Sequence, residues 1–154
     1  MEELNEYRTQ LIQKLVATAR DFREACLAVP DAFAPFDDGW TVHQIAAHTR
    51  DVNALAYGLR ARRTVEEDNP EFANFDGDAY MAEHYNAGKP LIEILDGFIA
   101  EVESLAKMLG ELPAEAWSRT SRHAMLGSGF TLQTWVERDL AHIEEHLRTV
   151  SKAK

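Results

Sequence analysis

The segment TLQTWVERDLAHIEEHLRTV, residues 131–150, decides the fold because its apolar side chains recur at helical spacing. Successive residues of an α-helix are rotated by about 100°, so residues three and four apart lie on one face. Six residues form one broad apolar arc in this way: Leu132, Val136, Leu140, Ile143, Leu147 and Val150. The segment therefore predicts an amphipathic helix with one buried face.

The same periodicity predicts three further helices, over about residues 2–28, 41–62 and 78–109. Thr41, with Gln44 three residues later, predicts a capping box at the start of the second helix. The apolar arc of that helix is made of Val42, Ile45, Val52, Ala56 and Leu59. Proline cannot continue a hydrogen-bonded turn, so the third helical region should be interrupted near Pro90.

Four long helices without the alternation typical of strands predict an all-α protein, a four-helix bundle that forms one domain over residues 1–154. The loops between helices two and three, and between helices three and four, are long for a bundle, where about 2–8 residues are usual. The second of these loops, about residues 114–129, should be irregular, with a short helix around Trp117. Long loops at one end of a bundle often cover a binding site.

The composition limits the class of partner. The chain has 26 acidic and 16 basic residues and a formal net charge of −10, which argues against binding nucleic acid or an anionic membrane surface. The one cysteine, Cys26, excludes an intrachain disulfide and any cysteine-built zinc site. The polar, acidic N-terminus does not resemble a signal peptide and no apolar run reaches membrane-span length, so we expect a cytoplasmic protein.

Three of the six histidines should face the interior. His142 and His146 lie one turn apart at the margin of the last apolar arc, near Trp135, and His48 lies within the arc of the second helix. A buried imidazole needs a hydrogen-bond partner or a metal ion. A His-x-x-x-His pair can reach one ion, and a third imidazole would leave a coordination position open. Spacing alone leaves structural hydrogen bonds as the alternative.

The other histidines should lie outside such a site. His43 falls on the side of the second helix opposite its apolar arc and is expected at the surface, and His123 is expected to be exposed in a loop. The segment HIEEH, residues 142–146, formally matches an inverted zincin with Glu145 as base, but no acidic ligand follows it. Paired Glu-x-x-His motifs, which a di-iron bundle requires, are absent from the sequence.

Two segments, GWTVHQIAAHTRD (39–51) and HAMLGSGFTLQTW (123–135), carry a resemblance to the DinB/YfiT-like superfamily of metal-dependent helical bundles. The matching pattern is Trp40, Thr41 and Val42 before His48, then Gly129, Thr131 and Leu132 before His142, His146 and Leu147. The resemblance covers nearly the whole chain in order and spacing. It implies an up-down-down-up four-helix bundle, frequently a homodimer, with a divalent ion, zinc or nickel, bound by His48, His142 and His146.

Relatives of this kind include bacillithiol S-transferases and the mycothiol-dependent maleylpyruvate isomerase, in which the metal activates the thiol of a small cofactor. The mycothiol branch resembles a pattern with glutamate in place of one histidine of the last helix. Because this chain has histidine at both positions, His142 and His146, it resembles the general DinB-like branch more closely.

The expected function is that of a metal-dependent enzyme acting on a small-molecule substrate, a thiol-dependent S-transferase or a related detoxifying or hydrolase-like activity. A low-molecular-weight thiol would serve as cofactor. The alternative is a non-catalytic, stress-related bundle whose ion is structural or sensory. Asp139 and Asp51 are second-shell candidates that would accept an imidazole N–H. The candidates for pocket residues are Trp40, His84 and Trp135.

Overall fold

The computed structural model describes residues 1–36 and 38–153, and most of them lie in helices. The α-helices are α1 (Glu2–Leu27), α2 (Val42–Val52), α3 (Gly58–Glu66), α4 (Gly77–His84), α5 (Leu91–Gly110) and α6 (Leu132–Val150). A π-helical turn, Asn53–Tyr57, joins α2 to α3 without a break, and a 3₁₀ helix covers Ala114–Ser118. The third helical region is interrupted between α4 and α5, where Pro90 precedes the first residue of α5.

The long helices form a four-helix bundle around one core. α1 packs against α5 and α6, and the continuous helix α2–α3 packs against the same two helices. Phe22 of α1 meets Phe98 of α5 edge to face, with ring centroids 5.7 Å apart. Leu15, Leu95 and Ile143 are fully buried around them. The bundle is confirmed, and the up-down-down-up order of its helices stays a prediction.

A small three-stranded sheet lies beside the bundle, where the sequence predicts no strand. Its strands are β1 (Glu71–Phe72), β2 (Thr120–His123) and β3 (Gly127–Thr131). β2 is central, parallel to β1 and antiparallel to β3. The all-α prediction is therefore only approximate, because strands of two to five residues are too short to show a period of two. The indole N–H of Trp135 donates to Ser121 Oγ at 2.7 Å and ties the sheet to α6.

The predicted capping box at the start of α2 is present. Thr41 Oγ1 accepts the backbone N–H of Gln44 at 3.1 Å, and Gln44 Oε1 accepts that of Thr41 at 2.9 Å. The helix then continues past the predicted end to Glu66, through the π-helical turn. That turn absorbs about one extra residue and rotates the residues after it by about 100°. As a result Leu59, predicted in the apolar arc, is 43% exposed.

Two histidines expected at the surface are buried. The ring of His43 accepts from the Tyr85 hydroxyl at Nδ1 (2.6 Å) and donates from Nε2 to the carbonyl of Lys89 (2.7 Å). His123 is buried in the sheet, and its Nδ1 accepts the backbone N–H groups of Met125 and Leu126, both at 3.1 Å. Both predictions were wrong because segments from elsewhere in the chain cover the faces that helix geometry alone leaves open.

We expect His43→Ala to lower the free energy of unfolding by about 2–4 kcal/mol, because a buried hydroxyl and a carbonyl each lose their partner. Urea unfolding followed by circular dichroism measures the change. His84→Ala is the matched control: His84 is exposed on α4, so its effect should stay within about 0.5 kcal/mol. A loss for His43→Ala no larger than that of the control would contradict the structural role.

Candidate metal centre

His48, His142 and His146 meet at one point between two helices. α2 supplies His48, and α6 supplies the other two from one face, a single turn apart. One ring nitrogen from each residue lies within 4.8 Å of those of the other two. His142 Nε2 and His146 Nε2 are 2.9 Å apart. The three histidines predicted to share a site are therefore brought together.

The electrostatics of the three rings suit a divalent metal ion. Burial lowers the pKa of His142 to about 3 and that of His146 to about 4, and the neighbouring imidazoles add to the effect. Burial also lowers the pKa of His48. All three rings are thus neutral near pH 7, the form in which histidine binds metals. Nδ1 of His48 and Nδ1 of His142 are buried without a hydrogen-bond partner, which is costly in a purely structural cluster.

An open cleft of about 260 Å³ leads to the histidines. Its lining consists of Asp38, Trp40, Ile45, His48, Asp78 and His146. The predicted pocket residue Trp40 meets the His48 ring edge to face, with centroids 5.8 Å apart. Asp78 was not singled out from the sequence, although its place in the first turn of α4, after the N-cap Asp76, is a local signal. The charge of Asp78 acts on His48 and raises its pKa, which partly offsets burial.

The two second-shell candidates have other partners. Asp139 is fully buried and accepts Nδ2 of Asn53 at 2.7 Å, and burial raises the pKa of its carboxyl to about 7. Its Oδ1 has no hydrogen-bond partner, and neither has Nδ1 of His142 three residues further along α6. Asp51 accepts Nε of Arg50 at 2.9 Å. Asp139 Oδ1 and His142 Nδ1 both lack partners and lie on one face of α6, so the role of Asp139 as a support for the ligand His142 stays a prediction.

The other two pocket candidates lie outside this cleft. His84 is stacked on Tyr80, with centroids 4.1 Å apart, on the exposed side of α4. Trp135 is buried and stacks on Phe130 at 4.8 Å. Tyr57, which the sequence did not indicate, reaches the ring of His142 at a centroid distance of 5.8 Å. Tyr57 lies in the π-helical turn, where a rotation of about 100° per residue no longer predicts which way a side chain points.

Gly77 lies against the ring of His48 and limits its position. A Cβ atom at residue 77 would lie 2.8 Å from Cε1 of His48, closer than Cβ atoms approach other atoms, and 3.2 Å from Nδ1, tighter than most such contacts. We expect Gly77→Ala to displace the ring and weaken metal binding about tenfold or more, since misplacement of a ligand costs affinity. A competitive chelator titration measures this affinity.

Gly97→Ala is the matched control for that substitution. A Cβ atom at residue 97, in the middle of α5, meets nothing within 4 Å. Metal affinity should be unchanged, and helix propensity should raise stability by up to about 1 kcal/mol. Equal metal affinities for the two variants would exclude a positioning role for Gly77.

Comparison with known proteins identifies relatives. The family model for the mycothiol maleylpyruvate isomerase N-terminal domain matches residues 8–147. The curated proteins contain no match. Among solved structures, the chain is similar to YfiT from Bacillus subtilis, described as a probable metal-dependent hydrolase with an unusual four-helix bundle topology. The TM-score is 0.79 at 22% identity, over 96% of this chain and 87% of that one, which shows a shared fold.

Proposed function

Because the chain belongs to the mycothiol maleylpyruvate isomerase N-terminal domain family, which is DinB/YfiT-like, we propose that it is a metal-dependent enzyme that transfers a small thiol to an electrophile. His48, His142 and His146 would bind one divalent ion, with zinc and nickel as the expected metals. One observation carries the proposal: three neutral imidazoles converge at an open cleft, and no fourth histidine, cysteine or carboxylate joins them within residues 1–36 and 38–153.

Three neutral ligands leave a divalent ion its full charge, so when bound it acts as a Lewis acid that lowers the pKa of a thiol or water. The side chains around the cleft would position the thiol and accept its proton. Asp78 faces the cleft beside His48 and is placed to accept the proton that the thiol loses. Trp40 forms an apolar wall of the cleft and would limit the approach of water to the thiol.

Asp139 belongs to the proposal as the support of His142. Its unpartnered Oδ1 and the unpartnered Nδ1 of His142 lie one turn apart on α6. A hydrogen bond between them, direct or through one water molecule, would fix the tautomer that leaves Nε2 free for the ion. Asn53 would hold the carboxylate in place from the π-helical turn.

The test is a conjugation assay on metal-loaded protein with mycothiol and a fluorogenic bimane electrophile. We expect conjugate formation that requires both the metal and the thiol and that is lost in His142→Ala. Hydrolysis of an activated ester without added thiol would favour a hydrolase, the activity that the description of YfiT names. Metal binding without turnover in either assay would favour the structural or sensory alternative. Equal conjugation rates for wild type and His142→Ala would contradict the proposal.

Two features of the sequence analysis stay predictions: the homodimer and the cytoplasmic location. Across residues 1–36 and 38–153, no helix combines the length and the apolar character needed to cross a bilayer. Gel filtration with light scattering tests the dimer directly.

A further inference from the structure

A second charged site lies on α3, in a cleft separate from the one at the three histidines. Arg60 is 7% exposed, and its guanidinium lies over the rings of Trp135 (4.8 Å) and Tyr57 (5.7 Å). Aromatic rings contact the faces of a guanidinium, whereas its five N–H donors point outward in its plane. No ion pair to Arg60 is found among the described residues, in a protein with a net charge of −10. A buried cation of this kind normally has an anionic partner.

The polar neighbour of Arg60 is a second donor. Arg60 Nη2 lies 3.4 Å from Nε2 of His123. Nδ1 of His123 accepts two backbone N–H groups, so the proton of the neutral ring must reside on Nε2. Two N–H donors therefore face one another. An anionic oxygen is the group that both could bind.

Arg60 opens onto a cleft of about 180 Å³ whose lining combines apolar side chains with Arg60, Arg63 and Asn74. The walls include Leu55 and Leu59, which are 38% and 43% exposed, together with Phe72 and Phe75. Arg63 also lines this cleft, but Glu67 already accepts two of its N–H groups, at 2.6 and 2.9 Å. This cleft shares no lining residue with the one at the three histidines.

We propose that Arg60 binds the carboxylate of a small organic acid whose apolar part lies between Leu55, Leu59 and the two phenylalanines. A carboxylate suits this cleft because Arg60 is a cation without an ion-pair partner among the described residues. The other cation of the cleft, Arg63, is already paired with Glu67. The leucine and phenylalanine side chains of the cleft suit an acid with a short hydrocarbon body, and the volume excludes a large one. The site does not depend on the metal ion or on the proposed thiol transfer.

The first experiment is an NMR titration of the protein over residues 1–154 with hexanoate, with hexanamide as the uncharged control. We expect amide shifts concentrated in residues 55–63 and 72–75, and an affinity for hexanoate at least about tenfold above that for hexanamide. Arg60→Met should weaken hexanoate binding by at least about tenfold. Equal affinities for hexanoate and hexanamide, or an unchanged affinity in Arg60→Met, would overturn the proposal.

The titration is run on metal-loaded and on chelator-treated protein, because a carboxylate can also coordinate a metal ion. Equal affinities support the Arg60 site, whereas binding to the metal-loaded form alone would assign the carboxylate to the histidines. If Arg60→Met does not fold, Leu59→Glu tests the same site by placing a carboxylate in the cleft. It should weaken hexanoate binding at least about tenfold without lowering the melting temperature.

Leu27→Glu is the control for Leu59→Glu, because Leu27 is similarly exposed, at 38%, but lies on α1 outside the cleft. Its affinity for hexanoate should equal that of the wild type. Equal affinities for Leu59→Glu and Leu27→Glu would overturn the assignment of the acid to this cleft.

Discussion

Replacement of His142 by alanine should abolish high-affinity binding of a divalent metal ion. The wild type, purified without a metal-affinity tag, should contain close to one equivalent of metal per chain or take it up from added zinc or nickel. His142 is the most buried of the three rings, and both of the others lie within van der Waals reach of it. Since loss of a mere second-shell partner costs about 10–100-fold in affinity, loss of a ligand should cost more than about 100-fold.

Elemental analysis and chelator competition measure the effect, with His84→Ala as the control. His84 is an exposed histidine on α4 outside the site, so its removal should leave metal content unchanged. A wild type that neither contains metal nor takes up zinc or nickel would refute the site. So would a His142→Ala variant that retains a full equivalent.

In metal-free protein the contribution of Asp139 to stability should fall as the pH rises from about 4 to about 7, against an opposite contribution from His142 and His146, whose pKa values burial lowers to about 3 and about 4. Burial raises the pKa of Asp139 to about 7 in the folded state, from an ordinary value of 3.8. Between these two pKa values the folded state holds a proton that the unfolded state has released. The favourable contribution of Asp139 to the free energy of unfolding is therefore complete below pH 4 and is lost as the pH rises through 7. A difference of about three pH units corresponds to about 4 kcal/mol. Urea unfolding of wild type and Asp139→Asn at a series of pH values measures it as the difference between the two proteins.

Asp139→Asn should remove the contribution of Asp139 and leave that of the histidines. Asn53 Oδ1 and Asp139 Oδ1 both lack partners, so an amide at residue 139 could donate to Asn53 Oδ1 while it accepts from Nδ2. The variant should be more stable than the wild type at pH 8 and nearly equal to it at pH 4. A slope of stability between pH 4 and 7 that is the same in wild type and Asp139→Asn would show that Asp139 does not titrate in this range.

The sequence predicted the parts of this protein that depend on local periodicity and on one recurring pattern. The apolar repeat located the four long helices, and Thr41 with Gln44 located the start of α2 through its capping box. The spacing of His142 and His146, the place of His48 in the apolar arc of the second helix, and the family pattern that joins the three located the candidate metal centre. Helical periodicity is local in sequence and can be read from one chain, whereas the family pattern is recognised by its resemblance to known relatives.

The features that were missed depend on contacts between distant segments. The burial of His43 depends on Tyr85 and Lys89, more than forty residues away. The sheet forms because β1 pairs with β2 across about fifty residues, with too few residues in each strand to show alternation. The unpaired Arg60 could not be recognised either, because one sequence does not reveal which charges have partners after folding.

The branch of the family that the sequence favours differs from the branch that the matching family model represents. Histidine at both 142 and 146 favours the general DinB-like branch, whereas the family model that matches residues 8–147 is that of the mycothiol branch. A glutamate in place of one ligand histidine is thus not a requirement for matching that model. Ligand identity at one position therefore separates these branches less well than the whole pattern does.

The π-helical turn of Asn53–Tyr57 makes the helix from Val42 to Glu66 sensitive to insertions and deletions. His48 and Arg60 are twelve residues apart, and a regular α-helix would separate their directions by about 120°; with one residue absorbed by the turn, about 20° remains. Deletion of one residue there would leave a better-formed α-helix but point the two halves in different directions. We expect a gapless alignment of this segment across homologues, while the loops on either side vary in length.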